Sequence, residues 1–229
     1  MRLPVSISRR HFLASAAAAT AASCALPFRG AAAFGPEVAA EPAIPGYRQI
    51  LIPEARLPSL WSGVLARHEA QNREAVGAGE TDPWRQLVGR FRGRPLDFRL
   101  LADVNAAVNR MRWVYDTLNY SVPDRWATPR EFLANGGDCE DFAIAKFLLL
   151  REIGFIHLNQ RVVICRHNAR REAHAVTTCK LLLNTYLLDN LDPEPVVGWP
   201  LPTYTPVYGV DERGWVVYAK RNPTMGVVS

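Results

Sequence analysis

The sequence feature that most constrains the fold is a chain break followed at once by a strongly apolar helix. Asn135-Gly136-Gly137 is a stop signal for the preceding segment, and Asp138 is a residue type favoured at the cap of a helix N-terminus. The run 139–153 is rich in Ala, Leu, Ile and Phe and is followed by Gly154. Such a helix is buried, so we expect the rest of the domain to pack around it.

The segments on either side of this helix differ in their hydrophobic period. Before it, the apolar spacing predicts helices, and a capping box begins at Thr128-Pro129-Arg130-Glu131. After it, short segments rich in β-branched and aromatic residues predict strands. The predicted helices are 59–76, 83–91 and 103–118, and the predicted strands are 161–165, 174–181, 186–190, 206–210 and 215–219. Helices followed by strands indicate an α+β domain with an antiparallel sheet.

The N-terminus has the features of an export signal. Arg9 and Arg10 precede an Ala-rich run, and Ala31–Ala33 forms a small-residue cleavage site. The arginine pair is typical of twin-arginine (Tat) export, although Sec export and lipoprotein processing at Cys24 stay open. The apolar run is about 15 residues, too short for a membrane anchor, which needs about 20. We therefore predict a signal over 1–33, no stable membrane insertion and a periplasmic or secreted product.

The rest of the chain is predicted to hold one domain. Residues 34–58 contain five prolines and form an extended segment, and 59–229 form the domain. Removing 1–33 takes four arginines from the 27 basic residues and no acid, which leaves 23 basic and 22 acidic residues. A net charge near +1 gives no basic patch for nucleic acid, so we expect no nucleic-acid partner.

Cys139 is the main candidate for catalysis. It is predicted at the first turn of the apolar helix, where the helix dipole stabilises a thiolate and free N–H groups can hold an oxyanion. Gly136 and Gly137 just before it are predicted to let a substrate backbone approach. The alternative is a buried, inert cysteine, which is the commoner role of a lone cysteine.

His174 and Asp189 are the candidates for base and orienting acid. His174 begins one predicted strand and Asp189 ends the next, so a hairpin would bring the two side chains to one end of the sheet. A thiolate nucleophile needs such a base, and the base needs an orienting group. The alternatives are a strand histidine without a role and a turn-forming aspartate.

Three stretches of the sequence resemble a known family. They are WATPREFLANGGDCEDFAIAKFLLLREIGF, AHAV and LLDNL, and the resemblance covers roughly residues 80–220. These motifs are similar to those of the bacterial transglutaminase-like cysteine proteinases. The resemblance implies a papain-like fold and a cysteine endopeptidase that works through a thioester, with Cys139, His174 and Asp189 as its triad.

The resemblance also implies a cofactor and partners. It implies calcium bound by the acids beside the cysteine, Asp138, Glu140 and Asp141, with no organic cofactor. It further implies a protein substrate, such as a surface or periplasmic adhesin, and a regulatory membrane protein. From the residues alone, three acids at a helix start either offer oxygen ligands to a hard cation or complement the helix dipole without a metal.

Two other functions stay open from the sequence alone. A transglutaminase or amidase would use the same thioester chemistry with a different acceptor. A calcium-responsive binding module would keep the same residues without catalysis. Beyond the signal, the cysteines are Cys139, Cys165 and Cys179, an odd number that leaves at least one free thiol. A disulfide between Cys165 and Cys179 is possible, but both are interpreted mainly as core residues.

Overall fold

The computed structural model describes residues 42–53, 58–75, 81–155, 159–200 and 202–221. The predicted export signal, 1–33, lies outside the described residues. Within them, no helix combines the length and hydropathy that crossing a membrane requires.

The first two thirds of the described chain are mainly helical. The helices are α1 (Ser59–Glu74), α2 (Pro83–Phe91), α3 (Phe98–Asn109), α4 (Asp116–Asn119), α5 (Pro129–Asn135) and α6 (Cys139–Glu152). The predicted capping box at α5 is present, because the Thr128 hydroxyl accepts from the Glu131 N–H and the Glu131 carboxylate accepts from the Thr128 N–H. Local side-chain chemistry therefore sets where α5 begins.

One predicted helix is wrong in its extent. The spacing predicted a helix over 103–118, but α3 begins at Phe98 and ends at Asn109. It begins early because the Asp97 carboxylate accepts from the Leu100 N–H and caps it. It ends early because the following backbone pairs with Gly137, where the Val114 N–H donates to the Gly137 carbonyl over 2.9 Å. A tertiary contact thus interrupts an apolar pattern that continues in the sequence.

The strands form one antiparallel sheet of seven in the order β1-β7-β6-β2-β3-β4-β5. They are β1 (Tyr47–Pro53), β2 (Gln160–His167), β3 (Glu172–Leu181), β4 (Asn184–Leu188), β5 (Val196–Val197), β6 (Tyr204–Asp211) and β7 (Gly214–Lys220). Strand β1 lies within the predicted extended segment 34–58 and forms one edge of the sheet. The α+β prediction is confirmed.

Helix α6 is the centre of the core, as its sequence predicted. Every residue from Cys139 to Leu150 is buried. The helix packs on β3, where the Thr177 hydroxyl donates to the Ala143 carbonyl over 2.7 Å. Trp126 is 2% exposed and packs edge to face on Trp61, so it contributes to the core. The Thr177 hydrogen bond thus joins the first half of α6 to the middle of β3.

The two faces of the sheet carry different clusters. Alternate residues of β3, Ala175 and Cys179, pack with α6 and the other helices. Val176 packs on the opposite face in a smaller cluster with Trp199 and Tyr204. Because side chains alternate along a strand, His174 belongs to the face of Val176, and it lies near the start of β3.

Candidate active site

Cys139 is the first residue of α6 and is 8% exposed. Asp138 caps the helix, and its backbone N–H donates in turn to the Asp141 carboxylate over 3.2 Å. The first N–H groups of a helix have no partner within the helix, so they are available to a group bound at the start of α6. The structure therefore places Cys139 where the sequence predicted it.

His174 and Asp189 lie together at one end of the sheet. His174 Nε2 is 2.8 Å from Asp189 Oδ1, and both side chains are buried. His174 is the third residue of β3, and Asp189 directly follows β4. The antiparallel pairing of these strands joins Thr177 to Leu188, so residues just beyond that pair meet at the same end. Since Asp189 occupies Nε2, the Nδ1 atom is left for a proton exchange with a thiol.

The backbone of β3 brings this pair to the cysteine. The Ala175 N–H hydrogen-bonds to the Cys139 sulfur and favours a lower thiol pKa. Because Ala175 follows His174, the sulfur lies beside the strand residue next to the imidazole. The structure therefore brings Cys139 to the strand residue that follows His174, and His174 to Asp189.

Two asparagines of α3 hold the loop that carries Asp189. Asn109 Nδ2 donates to the Asp189 carbonyl over 2.8 Å, and Asn105 Nδ2 donates to the Asp192 carbonyl over 2.9 Å. Neither was predicted from the sequence. A polar residue on the apolar face of a predicted helix was the only available signal, and it does not say which loop the side chain binds.

A cluster of acids lies beside Cys139. Single carboxylate oxygens of Asp116, Asp138 and Glu140 all lie within 4.8 Å of one another. Asp138 and Glu140 were predicted as metal ligands, and Asp116 was missed. Asp116 joins them because the segment around Trp113 pairs with Gly137, a contact between residues far apart in sequence.

Several oxygens of this acidic cluster have no hydrogen-bond partner among the described residues. They are buried atoms of four carboxyl groups: Asp116 Oδ1, Asp124 Oδ1, Asp138 Oδ1 and Glu140 Oε1. Buried polar atoms are normally paired, and unpaired carboxylate oxygens are the ligands that Ca²⁺ prefers. The donor set therefore fits a hard divalent cation.

The pKa values of these acids also reflect their burial and their closeness to one another. Burial first, and then the charge of Asp138, raise the pKa of Asp116 to about 7 and that of Asp124 to about 6. Burial and the Asp138 charge also raise the pKa of Glu140 well above its usual value. Crowded, buried carboxyl groups favour protonation unless a cation balances them.

Asp141 has a different environment from the other predicted ligands. Its Oδ1 accepts from the Ala127 N–H over 2.7 Å, and its Oδ2 accepts from the Asp138 N–H over 3.2 Å. Both oxygens thus hold the backbone around the start of α6. The three acids whose carboxylate oxygens lie within 4.8 Å of one another are Asp116, Asp138 and Glu140, so Asp141 is not among them.

The pKa of Cys139 differs from the expectation. A helix N-terminus was expected to lower it, but burial and the charges of Glu140 and Asp138 raise the pKa well above that of a free thiol. The thiol donates to Glu140 Oε2 over 3.3 Å. The acids that make the cluster suitable for a cation therefore also oppose thiolate formation when they are ionised.

The other cysteines of the described chain do not form a disulfide. Cys139, Cys165 and Cys179 are all free and buried. Cys165 pairs with His174 across the sheet and Cys179 pairs with Gln160, five positions along the ladder. The two sulfurs also face opposite clusters. Both cysteines are core residues.

Comparison with known proteins gives one family match and several structures of similar fold. Residues 80–216 match the family model described as bacterial transglutaminase-like cysteine proteinase BTLCP. No curated protein is significantly similar to this chain.

Solved structures of similar fold include those of LapG from Legionella pneumophila. The calcium-bound form is 23% identical with a TM-score of 0.52, covering 72% of this chain and 91% of that chain. The EGTA-treated form is 24% identical with a TM-score of 0.53, covering 75% of this chain and 90% of that chain. At this identity the similarity shows a common fold.

Proposed function

Because this chain belongs to the family of bacterial transglutaminase-like cysteine proteinases and is thus a cysteine peptidase, we propose that Cys139, His174 and Asp189 are its catalytic triad. The observation that carries this proposal is the 2.8 Å contact of His174 with Asp189 beside the start of α6. A peptidase acts on a protein substrate, and the triad would cleave it through a thioester.

The chemistry follows from the placement of the three groups. Nδ1 of His174 takes the proton of the Cys139 thiol, the thiolate attacks the scissile carbonyl carbon, and N–H groups at the start of α6 stabilise the oxyanion. His174, protonated on Nδ1, gives that proton to the leaving amine as the C–N bond breaks. A water molecule then attacks the thioester carbon and gives a proton to Nδ1 of His174. The C–S bond breaks, which releases the acid product and regenerates Cys139. Asp189 orients the imidazole and stabilises its charged form.

We further propose that Asp116, Asp138 and Glu140 bind Ca²⁺. The unpaired buried oxygens of this cluster support the proposal, as does the calcium-bound form of the LapG structure. A divalent cation there would offset the negative charge that opposes the Cys139 thiolate. Ligation would also withdraw Glu140 from the thiol. Asp141 was predicted as a ligand as well, but it is left out of this proposal because both of its oxygens accept from backbone N–H groups.

The test of the proposed triad is the loss of peptide-bond cleavage. With calcium present, a peptide library generated from a bacterial proteome is incubated with the protein, and the products are identified by mass spectrometry. We expect Cys139→Ala to abolish cleavage and His174→Ala to lower it by roughly 10²- to 10⁴-fold. Cys179→Ala is the matched control, since that buried thiol lies away from the site. Cleavage by Cys139→Ala at the wild-type rate would end the proposal.

Export through the Tat route is also proposed, from Arg9 and Arg10 alone. We expect an Arg9→Lys, Arg10→Lys double variant to stay in the cytoplasm, and fractionation with an antibody to the mature chain checks this. Undiminished export would contradict the Tat route. An adhesin-like substrate and a membrane regulator stay predictions.

A further inference from the structure

Tyr204, the first residue of β6, contacts both members of the His174–Asp189 pair. Its hydroxyl donates to Asp189 Oδ2 over 2.5 Å. Its ring stacks on the imidazole of His174, with centroids 5.5 Å apart and an angle of 30° between the planes. Tyr204 is 2% exposed, so both contacts are shielded from water. No sequence motif pointed to this residue.

The hydroxyl of Tyr204 completes the hydrogen bonding of Asp189. Oδ1 accepts from His174 and from the Leu191 N–H, the latter over 3.0 Å, and Oδ2 accepts from Tyr204. Burial would raise the pKa of Asp189, but the hydrogen bonds from His174 and Tyr204 hold it below its usual value. With both oxygens engaged, the carboxylate plane has one orientation, and Oδ1 stays directed at the imidazole.

Tyr204 is itself held in place from several sides. Its carbonyl accepts from Trp199 Nε1 over 3.0 Å, and its N–H donates to the Pro200 carbonyl over 3.0 Å. The ring of His167 packs on it edge to face at 5.2 Å. Burial and the Asp189 charge raise the pKa of Tyr204, so the phenol stays protonated and remains a donor. It is thus a rigid support for the pair.

We propose that Tyr204 is a positioning residue that acts through Asp189 on His174. The hydroxyl fixes the carboxylate, the carboxylate keeps the proton of the neutral imidazole on Nε2, and the stacked ring fixes the plane of His174. Nδ1 is then directed at Cys139 in each step. The inference rests on the proposed triad and adds a fourth residue to it.

The first test is Tyr204→Phe, which keeps the ring and removes the hydroxyl. A hydrogen bond to a charged group contributes about 1.5–3 kcal/mol. Because Tyr204→Phe leaves the charge of Asp189 in place, we expect a loss at the lower end of that range, a fall in kcat of roughly tenfold and no larger than that of Asp189→Asn. KM should change less than about twofold, because Tyr204 is buried behind the pair. The substrate is a quenched fluorescent peptide derived from the cleaved library sequence, with calcium present. Tyr186→Phe is the control, a buried tyrosine of β4 without contact to the pair. An unchanged kcat would overturn the proposal.

The second test asks whether Tyr204 acts through Asp189. In the double variant Tyr204→Phe, Asp189→Asn, the tyrosine has no carboxylate to hold. We expect kcat close to that of Asp189→Asn alone, because residues that act as one unit have non-additive effects. If the two losses of kcat multiply in the double variant, Tyr204 acts independently of Asp189. That result would contradict the proposal.

A spectroscopic measurement keeps the proposal falsifiable if Tyr204→Phe does not fold. In wild-type protein with ¹⁵N-labelled histidine, His174 should show a protonated Nε2 and an exchange-protected proton at neutral pH. An unprotonated Nε2 in the neutral ring would overturn the proposal without any variant.

Failure of the triad gives a separate result: Cys139→Ala would still cleave. If Cys139→Ala is inactive and Tyr204→Phe keeps full kcat, only the role of Tyr204 fails.

Discussion

Gly136 and Gly137 illustrate how a residue can have a different role from the one its neighbours suggest. The sequence placed them before Cys139 as room for a substrate backbone. In the structure, a Cβ on Gly136 would overlap the Arg112 carbonyl, and one on Gly137 would overlap the Asp141 carboxylate. Gly136 also has φ of +79°, which favours glycine. The missing side chains therefore make room for the protein's own backbone and cap.

At the same scale, Asp189→Asn should be milder than His174→Ala. Asparagine keeps an oxygen for His174 Nε2 but loses the charge that stabilises imidazolium. Its amide group would take the place of Oδ2 and face the Tyr204 hydroxyl, which donates to that oxygen in the wild type. We expect kcat to fall by roughly tenfold, compared with roughly 10² or more for His174→Ala.

Peptide cleavage at saturating substrate measures this difference. Asp192→Asn is the matched control, since it makes the same change three residues later in the same loop. Equal losses for Asp189→Asn and His174→Ala would show that the charge of Asp189 dominates and would contradict the expectation.

At the scale of elements, the C-terminal end of α6 is tied to α1 and α2 by one carboxylate. Glu152 Oε1 lies 2.7 Å from His68 Nε2 and accepts from Trp84 Nε1 over 3.0 Å and from Asn72 Nδ2 over 3.1 Å. Burial opposes ionisation, but these hydrogen bonds outweigh it and lower the pKa of Glu152 to about 2. The helix that carries Cys139 at its start is thus anchored at its far end.

This anchor predicts a dependence of stability on pH. A carboxyl group whose folded pKa lies below its unfolded value of about 4.3 stabilises the protein above that value. The contribution is lost as the pH falls toward 2. We expect Glu152→Gln to lower the free energy of unfolding by roughly 2 kcal/mol at pH 7, and by about half as much at pH 3, which lies between the folded and unfolded pKa values.

Urea denaturation at pH 7, 5 and 3 measures this effect. Glu69→Gln is the control, an exposed glutamate on the same helix as His68. A variant with the same loss at pH 3 as at pH 7 would show that the cost is one of packing rather than of charge.

At the scale of the whole molecule, the proposed cation site joins distant parts of the chain. Asp116 belongs to α4, whereas Asp138 and Glu140 surround the start of α6. A ligand that binds only the folded state stabilises the entire domain. Calcium at 100 times its Kd would add about 2.7 kcal/mol, which corresponds to a Tm increase of roughly 5–10 °C for a domain of this size.

Differential scanning calorimetry with calcium and with EGTA checks this expectation, and cleavage should decline with chelation in parallel. Asp116→Asn should remove the calcium-dependent shift in Tm. Asp103→Asn is the control, an aspartate paired with Arg94 on the surface and outside the cluster. A wild-type Tm that is the same in calcium and EGTA would contradict the proposed site.

The sequence by itself determined the features that depend on neighbouring residues. The Thr128 capping box, the start of α6 at Cys139 and the change to strands after Gly154 all follow from capping chemistry and hydrophobic period over a few residues. For the same reason the order of Cys139, His174 and Asp189 could be interpreted from local patterns alone. The family motifs around Cys139 are also local.

Only the tertiary structure decided which distant residues complete the site. Asp116 reaches Asp138 because the chain after α3 pairs with Gly137, which also ends the helix that the pattern predicted to continue. Tyr204 and Asn109 reach Asp189 from β6 and α3. The raised pKa of Cys139 likewise arises from burial and from acids brought together by folding. These contacts depend on how whole elements pack, and no local pattern specifies the partner of a buried polar group.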